Sequence, residues 1–206
     1  GGEVQEVTGS RPTLFLIVGP NGAGKTTFYE TVLKPRVKAP FVNADDIQRQ
    51  DLKDARPSAS YRAAEIAASR RDDLIKSRQS FVTESVFSHS SKLDLLRRAR
   101  SAGFRIVVFH LSLADDDLAV ARVAARVEEG GHDVPEDKVR ERFARNQKLI
   151  RKAVLAADLG VIYDSSELNA PPRPLLRLSN GVAEWALAKG RPRWFDDLYG
   201  DLLSAG

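Results

Sequence analysis

One octapeptide limits what this chain can fold into more than anything else in it: Gly19-Pro20-Asn21-Gly22-Ala23-Gly24-Lys25-Thr26. It fits the pattern G-x-x-x-x-G-K-[ST] at every specified position and follows directly on the apolar run Leu14-Phe15-Leu16-Ile17-Val18. A buried strand therefore leads into it, and Thr27, Phe28, Tyr29 and Glu30 can continue as a helix. Glycines in such a turn let successive backbone N–H groups point inward onto phosphate oxygens, and the helix start adds its partial positive charge. Lys25 can reach the β- and γ-phosphates, and the Thr26 hydroxyl can ligate Mg²⁺. The bland alternative is a strand-to-helix turn that binds nothing, and the complete motif in its required setting outweighs it. The expectation is a nucleoside triphosphate held by Gly19, Asn21, Gly22, Ala23, Gly24, Lys25, Thr26 and Thr27. What remains open is the oxygen that receives the phosphoryl group.

A chain of 206 residues is long enough for one α/β core, and its hydrophobic share of 42% is that of an ordinary globular protein. No apolar run approaches the roughly 20 residues of a membrane span, and the polar start Glu3-Val4-Gln5-Glu6 is no secretory signal. Cysteine is absent, which excludes disulfides and cysteine-ligated zinc and fits a cytoplasmic setting. The net charge of +4 is mildly basic, and a phosphate-handling enzyme needs arginines as much as a nucleic-acid binder does.

Residues 1–12 read as a tail, 13–166 as the phosphate-loop domain, and 167–206 as a C-terminal extension packed on that domain. Strands are expected at 13–18, 41–43, 80–84, 104–111 and 159–163, the last closing the core. Between them fall helices reaching about residue 33, stopped by Pro35, and at 58–78, 90–102, 117–129 and 135–157. The helix at 58–78 should bury Ala63, Ala64, Ile66, Ala67, Leu74 and Ile75, and that at 117–129 should bury Val120, Ala124 and Val127. A short strand near 175–178 and a helix over 193–203 follow. Strands alternating with helices predict the P-loop NTPase class of three-layer sandwich, a mostly parallel central sheet covered on both faces and topped by a helical lid.

In open parallel sheets ligands sit outside the carboxyl ends of the strands. Asp45-Asp46 falls there after the second strand, where a carboxylate can accept the proton of an attacking hydroxyl or hold Mg²⁺ through water. Asp45 is favoured as the base, with Asp46 as a helix cap or a neighbour on the substrate and metal side. Glu84 ends the third strand in Phe81-Val82-Thr83-Glu84 and is expected to face substrate or Mg²⁺. Arg122 and Arg126, the break at Gly130-Gly131, and Arg140, Arg142 and Arg145 beyond it look like a lid that brings arginines onto phosphate oxygens. Arg126 and Arg142 lead among them, and His132 can contact substrate or simply shape the turn. The fourth strand, ending His110-Leu111-Ser112-Leu113, lacks the D-E pair of a motor ATPase, which favours a small-molecule kinase.

Taken together these stretches resemble a family. Gly19 to Thr27, Val42-Asn43-Ala44-Asp45-Asp46-Ile47 and Thr83-Glu84-Ser85-Val86-Phe87-Ser88 occur in order. Gly130-Gly131-His132-Asp133-Val134-Pro135, Arg142-Phe143-Ala144-Arg145-Asn146 and Tyr163-Asp164-Ser165-Ser166 follow. The set looks like the zeta-toxin-like kinases in their shorter chromosomal form, over residues 13–166. That resemblance implies ATP- and Mg²⁺-dependent phosphorylation of a sugar hydroxyl, the 3′-hydroxyl of N-acetylglucosamine in UDP-N-acetylglucosamine. It maps the base onto Asp45, the sugar-contacting glutamate onto Glu84, the phosphate lysine onto Lys25 and a lid arginine onto Arg122 or Arg126. The position of a second lid arginine falls near His132, so by this resemblance that role either passes to Arg142 or is lost.

Two other readings stay open. A nucleic-acid-end kinase or NTPase would need a basic groove interleaved with aromatics, and aromatic content is only 7% with no such cluster. A nucleotide-gated toxin held by an antitoxin through the C-terminal segment is compatible with kinase chemistry.

Overall fold

The computed structural model describes residues 11–54, 56–129, 131 and 133–203, so most of the expected tail and His132 lie outside the described residues. A seven-stranded sheet runs in the order β2-β3-β1-β4-β5-β6-β7. Its strands are β1 (Thr13–Val18), β2 (Phe41–Val42), β3 (Phe81–Ser85), β4 (Arg105–Ser112), β5 (Leu159–Asp164), β6 (Arg173–Ser179) and β7 (Val182–Ala186). The first five are mutually parallel, while β6 and β7 are antiparallel additions. The helices are α1 (Lys25–Phe28), α2 (Ala44–Asp46), α3 (Pro57–Lys76), α4 (Ser91–Ser101), α5 (Asp116–Glu128), α6 (Glu136–Ala156) and α7 (Arg193–Tyr199). This is the expected three-layer α/β architecture with a mostly parallel sheet. Among the described residues no helix is long and apolar enough to cross a membrane.

The continuous apolar run of β1 is explained by its place between β3 and β4. Leu14, Leu16 and Val18 point into one packed layer, with residues of α3, α4, α7 and the second half of α6. Ile17 points into the other, with Phe28 of α1, Ala119 and Val123 of α5 and Val139 of α6. Because β3 and β4 flank β1, the chain switches sides of β1 between them. The crevice at such a switch opens at the carboxyl end of β1, where the phosphate loop begins.

Three expectations need correction. The buried residues of α5 are Ala119 and Val123, and Ala124 is exposed. The helix is therefore rolled so that Arg122 and Arg126, three and seven positions after Ala119, flank its inward stripe. On α3, Ala59, Ala63 and Ala67 are buried but Ala64 is exposed; alanines fall on more than one side of this helix and give little apolar contrast from which to read the face. The core also extends past β5: Leu175, Leu176 and Leu178 of β6 are fully buried, and Trp194, Phe195 and Tyr199 of α7 seal it. β7, with four of its five residues exposed, shows no inward apolar alternation and was not legible as a strand.

His110 on β4 is wholly buried, its Nδ1 2.8 Å from the Tyr199 hydroxyl and its ring edge-on to Trp194. Burial pushes this imidazole down to about 3, so it stays neutral in the folded chain. In the unfolded chain it would take up a proton below about 6.5. Its contribution to stability is therefore whole above that pH and declines as the pH falls towards about 3. We expect urea midpoints to drop across this acid window, and to drop less steeply in His110→Gln. Identical slopes in the two proteins would remove His110 as the cause.

Candidate active site

The phosphate loop is wedged against its neighbours. A Cβ on Gly19 would lie 2.0 Å from the Leu111 carbonyl oxygen, so only glycine lets the loop leave β1 so close to β4. Gly22 has φ +81° and faces α5, where an added Cβ would meet the Arg122 Cβ at 3.0 Å and the Ala119 carbonyl oxygen at 3.1 Å. The α5 helix thus stands directly over the loop, as a lid must.

Lys25 is buried and donates from Nζ to the carbonyls of Gly19 at 3.1 Å and Pro20 at 3.0 Å. Burial pulls its pKa below the usual range; Glu84 opposes that, Arg126 adds to it and Asp45 opposes it again. Those four side chains therefore share one electrostatic neighbourhood. Thr26 is the second residue of α1, and its hydroxyl donates to the Glu84 carboxylate at 3.1 Å from Oε2 and 3.4 Å from Oε1. Burial pushes the Glu84 carboxyl up, Lys25 and the Thr26 bond pull it down, and Asp45 and Asp46 push it up again. A half-buried carboxylate that feels a cation and two further acids is a candidate functional group.

The acidic pair lies on the short helix α2. Asn43, buried at its N-cap, accepts the Asp45 N–H on its side-chain oxygen at 2.8 Å. The expected capping role thus belongs to Asn43 and not to Asp46. Asp46 instead pairs with Arg49 at 2.5 Å, whereas Asp45 is exposed and its carboxylate bonds to no described residue. That leaves Asp45 as the free acid of the pair.

The arginines divide. Arg122 donates from Nη1 to Ser165 O at 2.7 Å and to Gly22 O at 3.4 Å, and from Nη2 to Ser166 O at 2.9 Å, lashing the loop to the segment after β5. Arg126 is exposed and near enough to Lys25 to affect its charge. Arg142 is half-buried on α6 without an ion pair to a described residue. Arg140 is occupied by Asp116, Asp117 and Glu136 and fastens α6 to α5, and Arg145 pairs with Glu141.

Asn146 had no role assigned from sequence. It is buried one turn beyond Arg142, and its Nδ2 donates to Val86 O at 2.7 Å, in the turn that follows Glu84. The same turn is held by Phe87 N donating to Ser85 Oγ at 2.9 Å. A buried polar residue in the apolar stripe of α6 was the available signal. Asn146→Ala would leave the Val86 carbonyl unpaired, and a loss of about 1–3 kcal/mol in unfolding free energy is expected by denaturant titration.

The donor set suits Mg²⁺. The Thr26 hydroxyl, already within reach of Glu84, is a hard oxygen beside the place where phosphates would lie. Among the described residues no three His, Cys, Asp or Glu side chains form a cage for a metal.

The family described as Zeta toxin matches residues 2–169. The chain belongs to the zeta toxin family. Its fold is that of P-loop kinase-like proteins. The structure of the PezAT chromosomal toxin-antitoxin system of the human pathogen Streptococcus pneumoniae has a TM-score of 0.60 at 13% identity, over 96% of this chain and 80% of that one. The AvrRxo1-ORF1:AvrRxo1-ORF2 structure with sulphate ions has a TM-score of 0.67 at 16% identity, over 92% of this chain and 64% of that one. The chain thus spans less than two thirds of the AvrRxo1 chain it matches. A curated relative from Haemophilus influenzae (strain ATCC 51907 / DSM 11121 / KW20 / Rd), an uncharacterized protein, is 29% identical over 130 residues, 61% of this chain and 88% of that one.

Proposed function

We propose that this zeta toxin family member is an ATP-dependent kinase acting on a sugar hydroxyl, with a UDP-activated amino sugar as the acceptor. The observation that carries this reading is the contact between Thr26 and Glu84, with the unpaired Asp45 in the same electrostatic neighbourhood. It sets an acceptor-side carboxylate against the donor loop. The end of β4, His110-Leu111-Ser112-Leu113, lacks the D-E pair with which a motor ATPase activates water, and this favours an acceptor hydroxyl as the partner of these acids.

In this reading the loop amides and Lys25 hold the β- and γ-phosphates of ATP, and Lys25 exchanges the carbonyls of Gly19 and Pro20 for phosphate oxygens. Glu84 orients the acceptor, and Asp45 accepts its hydroxyl proton. The acceptor oxygen forms a bond to the γ-phosphorus as the bond to the β-phosphate oxygen breaks and ADP leaves. Arg126 and Arg142 neutralise charge on the moving phosphoryl group from the lid. Mg²⁺, held beside Thr26, would supply further neutralisation of the phosphates. Arg122 acts mainly by bracing the loop. The reaction would take place in the cytoplasm, and the toxin-antitoxin relative supports an antitoxin as a protein partner for this chain too.

The test is incubation with γ-labelled ATP and a panel of nucleotide sugars, free sugars, nucleosides and oligonucleotides. Label in a nucleotide sugar is the expected result. Label only in free phosphate, or only at oligonucleotide ends, would overturn the reading.

A further inference from the structure

Phe87 has a φ of +58°, in the left-handed region, and is wholly buried. Such a φ is a genuine outlier for a bulky side chain and persists only where the surroundings over-determine it. Strain of this kind collects at functional sites. The turn that contains it, Ser85-Val86-Phe87, follows directly on Glu84.

Three hydrogen bonds pin that turn. Gly19 N, at the start of the phosphate loop, donates to Ser85 O at 3.3 Å. Phe87 N donates to Ser85 Oγ at 2.9 Å, and Asn146 Nδ2 on α6 donates to Val86 O at 2.7 Å. The last of these comes from a residue whose own surroundings do not call for it. Asn146 is the polar member of a buried set on α6 that is otherwise Val139, Ile150, Ala153 and Val154. Its Oδ1 is buried and accepts no hydrogen bond from a described residue. A leucine would fill such a stripe without burying an unpaired carbonyl. The amide is therefore unfavourable for packing, and its one described bond ends on the turn beside Glu84.

Glu84 is thus held from two sides: its carboxylate accepts from Thr26 at 3.1 Å, and its backbone leads straight into the pinned turn. Arg142 stands one helical turn before Asn146, so α6 keeps a lid arginine and the end of β3 in a fixed relation.

We propose that Asn146 is the positioning residue of Glu84: by holding Val86 it keeps the strained turn closed and the carboxylate fixed between the phosphate loop and the acceptor. It touches no reacting atom. The inference rests on the kinase reading for what Glu84 does, but the grip on the turn can be measured without turnover.

Two measurements test it. In the first, native-state amide exchange is followed by NMR in wild type and Asn146→Ala. The Phe87 amide should exchange at least about tenfold faster in the variant, and by a larger factor than the amides of β1, which open only with the whole fold. In the second, label is transferred from ATP to UDP-N-acetylglucosamine, or to whichever compound of the panel accepts it. Wild type, Asn146→Ala, Glu84→Gln and the double variant are compared, with enzyme counted by its binding of a non-hydrolysable ATP analogue so that unfolded molecules drop out. Asn146→Ala should lower kcat/KM for the acceptor about 10–10²-fold while KM for ATP stays within about twofold. In the Glu84→Gln background the same substitution should cost less than about threefold, because the group it positions is already disabled. Ser85→Ala removes the acceptor of the Phe87 N–H without emptying the core, and the same kinetic pattern is expected from it should Asn146→Ala fail to fold. Losses that multiply in the double variant, or a Phe87 amide that exchanges alike in both proteins, would overturn the proposal. A Phe87 amide that responds, in a protein whose wild type labels no acceptor, would instead overturn the kinase reading and leave the grip of Asn146 on the turn standing.

Discussion

Replacing Lys25 with alanine is expected to reduce phosphoryl transfer by roughly 10³-fold or more, measured as label moved from ATP to the acceptor. The lysine is the only described cation donating into the phosphate loop from within it, and it is buried there between two carbonyls. Binding of ATP should weaken as well, because ground-state and transition-state phosphates share this contact. The substitution also strips donors from the Gly19 and Pro20 carbonyls, a penalty of about 1–3 kcal/mol if they stay dry. A thermal melt therefore accompanies the assay. Near-normal turnover in a folded Lys25→Ala protein would remove the loop from the mechanism.

Asp45→Asn should separate binding from chemistry. Asparagine keeps the shape and leaves the Asn43 cap on the backbone N–H of residue 45 in place, but it cannot accept the hydroxyl proton. Transfer should fall about 10²–10⁴-fold while ATP affinity holds within about twofold. Asp46→Asn is the control: it loses the ion pair to Arg49, an exposed contact of small energetic worth, and a weak influence on Glu84. If Asp46→Asn gives the large loss and Asp45→Asn does not, the assignment is reversed.

Much of this was legible in the residues, for physical reasons that differ from element to element. β1 could be read because a strand buried on both faces is apolar without interruption, and the phosphate loop because its glycines answer backbone demands that few other turns make. The acids at the ends of β2 and β3 could be placed because parallel strands deliver their carboxyl ends to one edge. The face of α5 could not be read, since alanine and valine occur all round it and its roll shows only in the packing against Gly22 and the apolar layer of Ile17, Phe28 and Val139. Asn43 and Asn146 escaped because their work is to hold other backbone groups, which no short motif announces.

The contact between His110 and Tyr199 spans 89 positions along the chain. Every side chain assigned to chemistry lies at or before Arg142, yet the layer beneath β4 is closed only when α7 arrives. During synthesis the phosphate loop, acids and lid would all leave the ribosome before the helix that completes their support. Pairings across such separations form late, because the intervening loop must first be closed. The order of emergence thus puts an interval between having the parts of a kinase site and having a rigid one. A chain stopped short of α7 should remain inactive with every proposed chemical group in place.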